Sequence, residues 1–281
     1  MAEEYRAQET EKIERQYLNG KKDENLGVYC DLFSAKTAVE GQDGGVVTAI
    51  LLDGLKKGAF DAVIVVKRIK GYNAQAIATS SPDEVAAARG TKYLKVSAIP
   101  QLQELIAQGK RKIAITCTPC QARAARKFHQ TLKQKHPELD ITLIGLFCFE
   151  AFNPAKLKGE VQRLMHMDID HVGKTEIRKG RFSASFAGQE LSCKIRELTG
   201  AVEKACLFCD DFTSILADVS VGSVGSQKGY STVIVRSEKG KRLMEKLEAE
   251  KASVEVEEII KLSKFKQERA KKSHVNLKNH Q

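Results

Sequence analysis

Apolar residues along the chain recur with two periods that take turns. Behind the glycines of "QDGGVVTAILLDGLKKG", Val46, Val47, Ile50, Leu51 and Leu55 fall on one helical face. "DAVIVVKR" is instead a short unbroken apolar run, the mark of a strand covered on both sides. "NLGVYCDLFSA" reads as an earlier strand with its exit, and "NAQAIATS" as a neighbour of "DAVIVVKR". "SPDEVAAARG" reads as a helix, with Ser81 as N-cap and Pro82 at the first helical position. "AIPQLQELIAQG" is a second helix that stops at glycine. Strand "KIAIT", helix "TPCQARAARKFHQTLKQ", strand "DITLIGLFC" and helix "NPAKLKGEVQRLM" continue the alternation. Over residues 27–166 this predicts an α/β fold, a mostly parallel sheet flanked by helices.

The pattern then changes. "TEIRKGRFSASFAGQELSCKI" has the shorter alternation of a smaller antiparallel β insertion. "DVSVGSVGSQKGYSTVIVRS" reads as a glycine- and serine-rich loop feeding one strand, and from Ser237 a charged helical pattern runs to the end. The expected organisation is an N-terminal extension (1–26), one main domain (27–236) and a helical C-terminal tail (237–281).

Composition narrows the class. At 281 residues, 42% hydrophobic and 29% charged, the chain has the makings of a globular protein with a real core. Its longest apolar runs are far too short to span a bilayer. "MAEEYRAQETEKIERQ" is polar throughout, so no secretory signal is expected there, and the protein is read as cytoplasmic. The net charge is +10, but the basic residues are mostly mixed with acids. The exception is the tail "KLSKFKQERAKKSHVNLKNHQ", which lacks the interleaved aromatics of a stacking surface and reads as a solvated helix face. No nucleic-acid partner is expected.

Seven cysteines, an odd number in a chain read as cytoplasmic, argue against a disulfide framework. Cys117 and Cys120 lie just past one predicted strand and Cys148 ends the next. If those strands are parallel neighbours, the three meet at the carboxyl edge, where open α/β sheets collect ligands. Cys120 falls in the first turn of a helix, a position that favours thiolate. Cys206 and Cys209 arrive about 86 residues downstream of Cys120. A structural zinc site draws its pairs from a more compact segment, with roughly 12–20 residues between them. A thioredoxin-like motif uses only one pair. Buried inert thiols are the simpler reading for Cys30 and Cys193. For the two pairs with Cys148, a cluster on four thiolates is favoured, and spacing alone does not say which four. The glycines of "DGGVVTAIL" and the loop "GSVGSQKGYST" each offer backbone N–H groups to a phosphate, as a tight turn also would.

In order, "QDGGVVTAIL", "ARGTKY", "CTPCQ", "LFCFE", "CLFCDDF" and "ADVSVGSVGS" resemble the motifs of the β subunit of coenzyme F420-reducing hydrogenase and its relatives in formate dehydrogenase and other F420-dependent complexes. The resemblance runs from about residue 27 to the tail. It implies an FAD-containing subunit with one [4Fe–4S] cluster that exchanges electrons with coenzyme F420. Carried onto this chain, it implies Cys120, Cys148, Cys206 and Cys209 as cluster ligands, with Cys117 and Cys193 outside the set. For the flavin it implies Gly44, Gly45 and Thr48, then Thr91, Lys92 and Tyr93, then Ser223, Gly225, Ser226, Ser231 and Thr232. "KGRF" resembles a basic stretch on the substrate side, which implies Lys179 and Arg181 as contacts for coenzyme F420. A partner carrying iron–sulfur clusters is implied, of hydrogenase, formate dehydrogenase or heterodisulfide reductase type. Ala151 stands where relatives often have Asn. The rivals are a related reductase of chlorophyll precursors and a zinc-stabilised nucleic-acid-binding module.

Overall fold

The computed structural model describes residues 2–186 and 188–278, with the side chains of 2–4, 277 and 278 outside the description; the last three residues of the expected tail lie beyond it. Helix α1 (Ala2–Tyr17) precedes a small hairpin of β1 (Lys21–Asp23) and β2 (Gly27–Tyr29). β3 (Asp31–Lys36) leads to α2 (Val46–Lys56), and β4 (Ala62–Ile69) and β5 (Asn73–Thr79) form a second hairpin. Then come α3 (Pro82–Ala87), α4 (Ile99–Ala107), β6 (Lys112–Cys117), α5 (Pro119–Leu132), β7 (Asp140–Leu146) and α6 (Pro154–Met165). β8 (Lys174–Arg178), β9 (Arg181–Phe186) and β10 (Gln189–Lys194) are the antiparallel insertion. β11 (Val219–Gly222), β12 (Ser231–Val235), α7 (Glu238–Glu245), β13 (Glu250–Ala252) and α8 (Val256–Lys278) complete the described chain.

The main sheet has the order β13-β3-β12-β11-β7-β6-β4-β5. It is mixed, which corrects the expectation of a mostly parallel sheet. Of its seven pairings, three are parallel, β11 with β7, β7 with β6 and β6 with β4. The other four are antiparallel. The reason lies in the connections. Strands joined by helical crossovers run parallel, while β4–β5 and β11–β12 are joined by short turns that reverse the chain. β5, β12, β3 and β13 therefore flank a parallel centre.

Both faces of that centre are covered, which explains the unbroken apolar runs. Val63 and Val65 face α2 and α7, packing with Val46, Ile50, Leu51 and Met244. Ala62 and Ile64 face the other way, against Leu102 and Leu105 of α4 and Ala122 and Ala125 of α5. The insertion has its own core around Phe152, Leu157, Val161 and Phe182. Along α8, Ile259, Ser263, Lys266 and Ala270 are all at most 2% exposed. Their 4-3-4 spacing is one helical stripe, so the tail expected to be solvated is seated on the domain along one side.

Behind the carboxyl edge lies a buried ion pair, Arg126 to Asp218 at 2.9 Å. Asp218 also accepts from the Leu143 N–H and the Ser237 hydroxyl, both at 2.7 Å, so it joins α5, β7 and the start of α7. Burial alone would push its carboxyl up; Arg126 and Lys239 outweigh it and hold the pKa below the ordinary value. A depressed folded-state pKa contributes stability above the unfolded value that is lost as pH falls through the folded one. Asp218→Ala leaves a buried guanidinium uncompensated and is expected to cost about 3–5 kcal/mol in urea unfolding at neutral pH. That deficit should shrink as the wild type is acidified.

Candidate functional site

Cys117 pairs with Gly145 across β6 and β7, so the two strands deliver their cysteines to the same edge. Thr118 and Pro119 open α5, which puts Cys120 in its first turn, exposed and with its thiol 3.3 Å from the Thr118 hydroxyl. The Cys148 N–H donates to Phe212 O at 2.9 Å, joining the end of β7 to the segment after Cys209. A short 3-10 turn, Lys204–Phe208, presents Cys206, and the Cys209 N–H bonds back to Cys206 O. Burial pushes the Cys148 thiol up to about 12; Cys120, Cys206 and Cys209 add to the shift, and Lys266 opposes it. Burial also raises Cys206 and Cys209, each with Cys120 contributing. The four thiols thus share one electrostatic neighbourhood.

The remaining cysteines lie apart from it. Cys117 is buried among the apolar residues of β6 and α5, its sulfur 3.8 Å from Ile144 O. Cys193 packs in the core of the insertion, and Cys30 meets Val235 O at 3.4 Å. Among the described residues, no three His, Cys, Asp or Glu side chains are close enough to hold a single metal ion. A four-iron cluster places each thiolate on a different iron, so its ligands stand farther apart than those of one ion.

Helix α8 clamps these loops. Lys266 donates to Cys148 O and Asp211 O. Arg269 pairs with Glu150 at 2.7 Å and donates to Phe149 O and Cys206 O at 3.0 and 3.2 Å. Phe265 stacks on Phe149 with ring centres 5.7 Å apart. Neither cation is distinguishable in the sequence from the other bases of the tail.

On the neighbouring part of the edge, Gly44 donates to the Ser231 hydroxyl at 3.0 Å, and its carbonyl accepts from Thr37 N at 2.9 Å. A Cβ on Gly44 would lie 2.2 Å from Ala35 O. Gly45, at φ +70°, is the left-handed N-cap of α2 and supplies no side-chain cap, so the helix start keeps free backbone donors. Thr48 lies buried in that first turn. Ser226 bonds the Thr232 hydroxyl at 2.7 Å and also the Ser34 hydroxyl at 2.7 Å, a partner the sequence did not suggest. Ser223 accepts from Ser226 N–H, and Gly225 accepts from Glu255 N–H just ahead of α8.

The "ARGTKY" loop is tied to the insertion. Lys92 donates to Ala88, Arg89 and Gly90 carbonyls beyond α3, and burial holds its ammonium down to about 8. Thr91 is exposed. Tyr93, at φ +54°, accepts the Ile177 N–H at 2.8 Å, and burial pushes its phenol up. Lys179 forms the β8–β9 turn with Gly180, and Arg181 is held by its own hairpin through Ser192 O at 3.1 Å. It is Arg178 that reaches the glycine loop, pairing with Asp43 at 3.1 Å, while Gln42 donates to Thr175 O at 3.4 Å. A surface depression of about 280 Å³ between β5 and α4 touches none of these residues.

Fold and site define a class: an α/β protein whose polar chemistry gathers at the carboxyl ends of its parallel strands, with soft thiol donors beside a backbone-lined cradle. Within it, the chain belongs to the coenzyme F420 hydrogenase/dehydrogenase β-subunit family. The family's N-terminal profile matches residues 32–104 and its C-terminal profile residues 110–261. The chain is 35% identical over 212 residues to a coenzyme F420 hydrogenase β subunit of Methanococcus voltae, covering 74% of this chain and 75% of that one. It is 34% identical over 257 residues to a coenzyme F420-dependent sulfite reductase of Methanocaldococcus jannaschii, covering 87% of this chain and 40% of that protein. A chain of the F420-reducing [NiFe] hydrogenase complex from Methanosarcina barkeri superposes with a TM-score of 0.85 at 28% identity, covering 90% of this chain and 94% of that chain. No helix among the described residues is long and apolar enough to cross a membrane.

Proposed function

We propose that this chain is an electron-transfer flavoprotein subunit of an F420-linked oxidoreductase complex, holding one [4Fe–4S] cluster and FAD. The observation that carries this reading is the shared neighbourhood of Cys120, Cys148, Cys206 and Cys209 beneath a cationic helix face. Four thiols with Lys266 close by fit an anionic, thiolate-bound cluster better than a neutral core. Gly44, Gly45 and Thr48 with Ser231 fit a flavin phosphate or ribityl chain, because the start of α2 has no side-chain cap and keeps its backbone donors free. When bound, the cluster supplies one-electron transfer and the flavin links it to two-electron, hydride chemistry with the deazaflavin of coenzyme F420.

The protein's own work is placement. The start of α2 offers backbone donors to anionic groups, Ser231 fixes Gly44, and the Asp43–Arg178 pair holds the insertion against the cradle. Thr91, Lys92 and Tyr93, with Ser223, Gly225, Ser226 and Thr232, are the further flavin contacts of this reading. Lys179 and Arg181 are the proposed contacts for the acidic groups of coenzyme F420, while Arg178 is engaged by Asp43 and Glu176. The donor is an iron–sulfur partner of hydrogenase, formate dehydrogenase or heterodisulfide reductase type.

The test is anaerobic purification followed by a visible spectrum, iron, zinc and flavin analysis, and turnover of coenzyme F420. Iron and flavin with F420 turnover are expected. A colourless zinc protein without flavin would overturn the reading, and flavin and iron without F420 turnover would favour a related reductase. Gly44→Ala forces a Cβ against Ala35 O and Ser231 N, so it should lose flavin and cost about 1–3 kcal/mol by overpacking. Flavin content and a thermal melt check both.

A further inference from the structure

The side chain of Lys266 is one of the largest fully buried in the molecule, at 1% exposure. Its hydrogen-bond acceptors are two backbone carbonyls, Cys148 O and Asp211 O. The nearby Asp211 carboxylate is turned to the Ile215 N–H, at 3.1 and 3.2 Å from its two oxygens. A buried ammonium is costly to desolvate, and carbonyl dipoles do not neutralise its charge. The Asp211 carboxylate does so in part, shared as it is with the buried Arg236, and a further anion beside the ammonium would add to it. The two carbonyls belong to the loop of Cys148 and the segment following Cys209, so one side chain spans both halves of the thiol set.

We propose that Lys266 is a positioning residue of the cysteine centre: its ammonium braces the two ligand loops and supplies the fixed positive charge that raises the centre's reduction potential. This rests on the cluster reading above. One-electron reduction adds a negative charge to the occupant, and a cation held close by in a low-dielectric site favours the more negative form. Because the charge is buried, salt screens it little, unlike the exposed lysines of the same helix. The carbonyl bonds are a separate contribution: they hold Cys148 and Cys209 in register whatever the redox state.

Three variants separate the two roles. Lys266→Gln keeps a donor for the carbonyls and removes the charge. Lys266→Arg keeps the charge. Lys266→Met removes both. In an anaerobic titration with dithionite and mediators, Lys266→Gln should lower the reduced-to-oxidised ratio at fixed potential at least tenfold, a shift of about −59 mV for one electron. The shift should persist at high salt. Lys266→Arg should keep the wild-type ratio, as should Lys271→Ala on the exposed side of α8. Lys266→Met should also release iron to a ferrous chelator faster than Lys266→Gln. An unchanged ratio in Lys266→Gln would overturn the proposal while leaving an iron-bearing wild type, and hence the cluster reading, intact. Wild-type protein without iron would instead sink that reading. Failure of Lys266→Gln to fold, seen by circular dichroism, would also overturn the proposal by assigning Lys266 to folding.

Discussion

Cys120→Ser is expected to strip the protein of its iron and Cys117→Ser to keep it, although the two residues share one Cys-x-x-Cys. Cys120 is exposed at the start of α5, and its thiol enters the electrostatics of Cys148, Cys206 and Cys209. A serine there offers a hard, poorly ionised oxygen to a soft metal. Iron retention should fall by more than about 100-fold, the upper end of what changes outside the ligand shell cost. Cys117 is fully enclosed between β6 and α5, and burial pushes its thiol far above the range in which a thiolate forms. A hydroxyl at that position costs stability, about 1–3 kcal/mol, because it must be buried with only Ile144 O in reach. Iron per protomer after anaerobic reconstitution, with a thermal melt beside it, measures both. Iron retained by Cys120→Ser and lost by Cys117→Ser would reverse the assignment.

That division was partly legible in the sequence, and the reason is local. Strands β6 and β7 announce themselves as apolar runs, and helix α5 begins where Pro119 says it can. Their parallel pairing then follows from the helix between them. β11 was not legible. Its Ser220 is wholly buried, donating to Ser214 O and accepting from Arg236, so a core strand reads as part of a glycine–serine loop. Missing it hid one of the four antiparallel pairings, β11 with β12; the others join β3 to β12 and β13, and β4 to β5. β13 is three residues inside a charged stretch and pairs only at the sheet edge, where little apolar signal is needed. The cradle shows the same limit. Gly44 and Gly45 are visible because backbone geometry demands glycine there, whereas Asp43, Arg178 and Ser34 join the site through contacts between distant segments. In the tail, the spacing of Ile259, Ser263, Lys266 and Ala270 is a helical stripe, but a serine and a lysine within it hide which face is buried.

That buried stripe leads to the other large expected effect. Removing residues 260–281 should abolish iron incorporation by the isolated chain, with no partner present. The sequence alone suggested a basic tail with a solvated helix face. In the structure the tail is a wall of the cysteine site. It carries the Lys266 bonds to Cys148 O and Asp211 O, and the Arg269 bonds to Phe149 O and Cys206 O. It also covers Phe149 with Phe265. Truncation unties the loop of Cys148 from the segment after Cys209, lets water reach both, and leaves Phe149 without the cover of Phe265. Hydrogen bonds from charged donors are worth about 1.5–3 kcal/mol each, so losing several should destabilise the chain by at least about 3 kcal/mol. A thermal melt, iron content and chelator release on the truncated chain alone read this directly. A tail that serves docking would give the opposite pattern: wild-type iron and melting in the isolated subunit, with only assembly lost. The two outcomes differ before any partner is added, because the bonds at stake are all made within one chain.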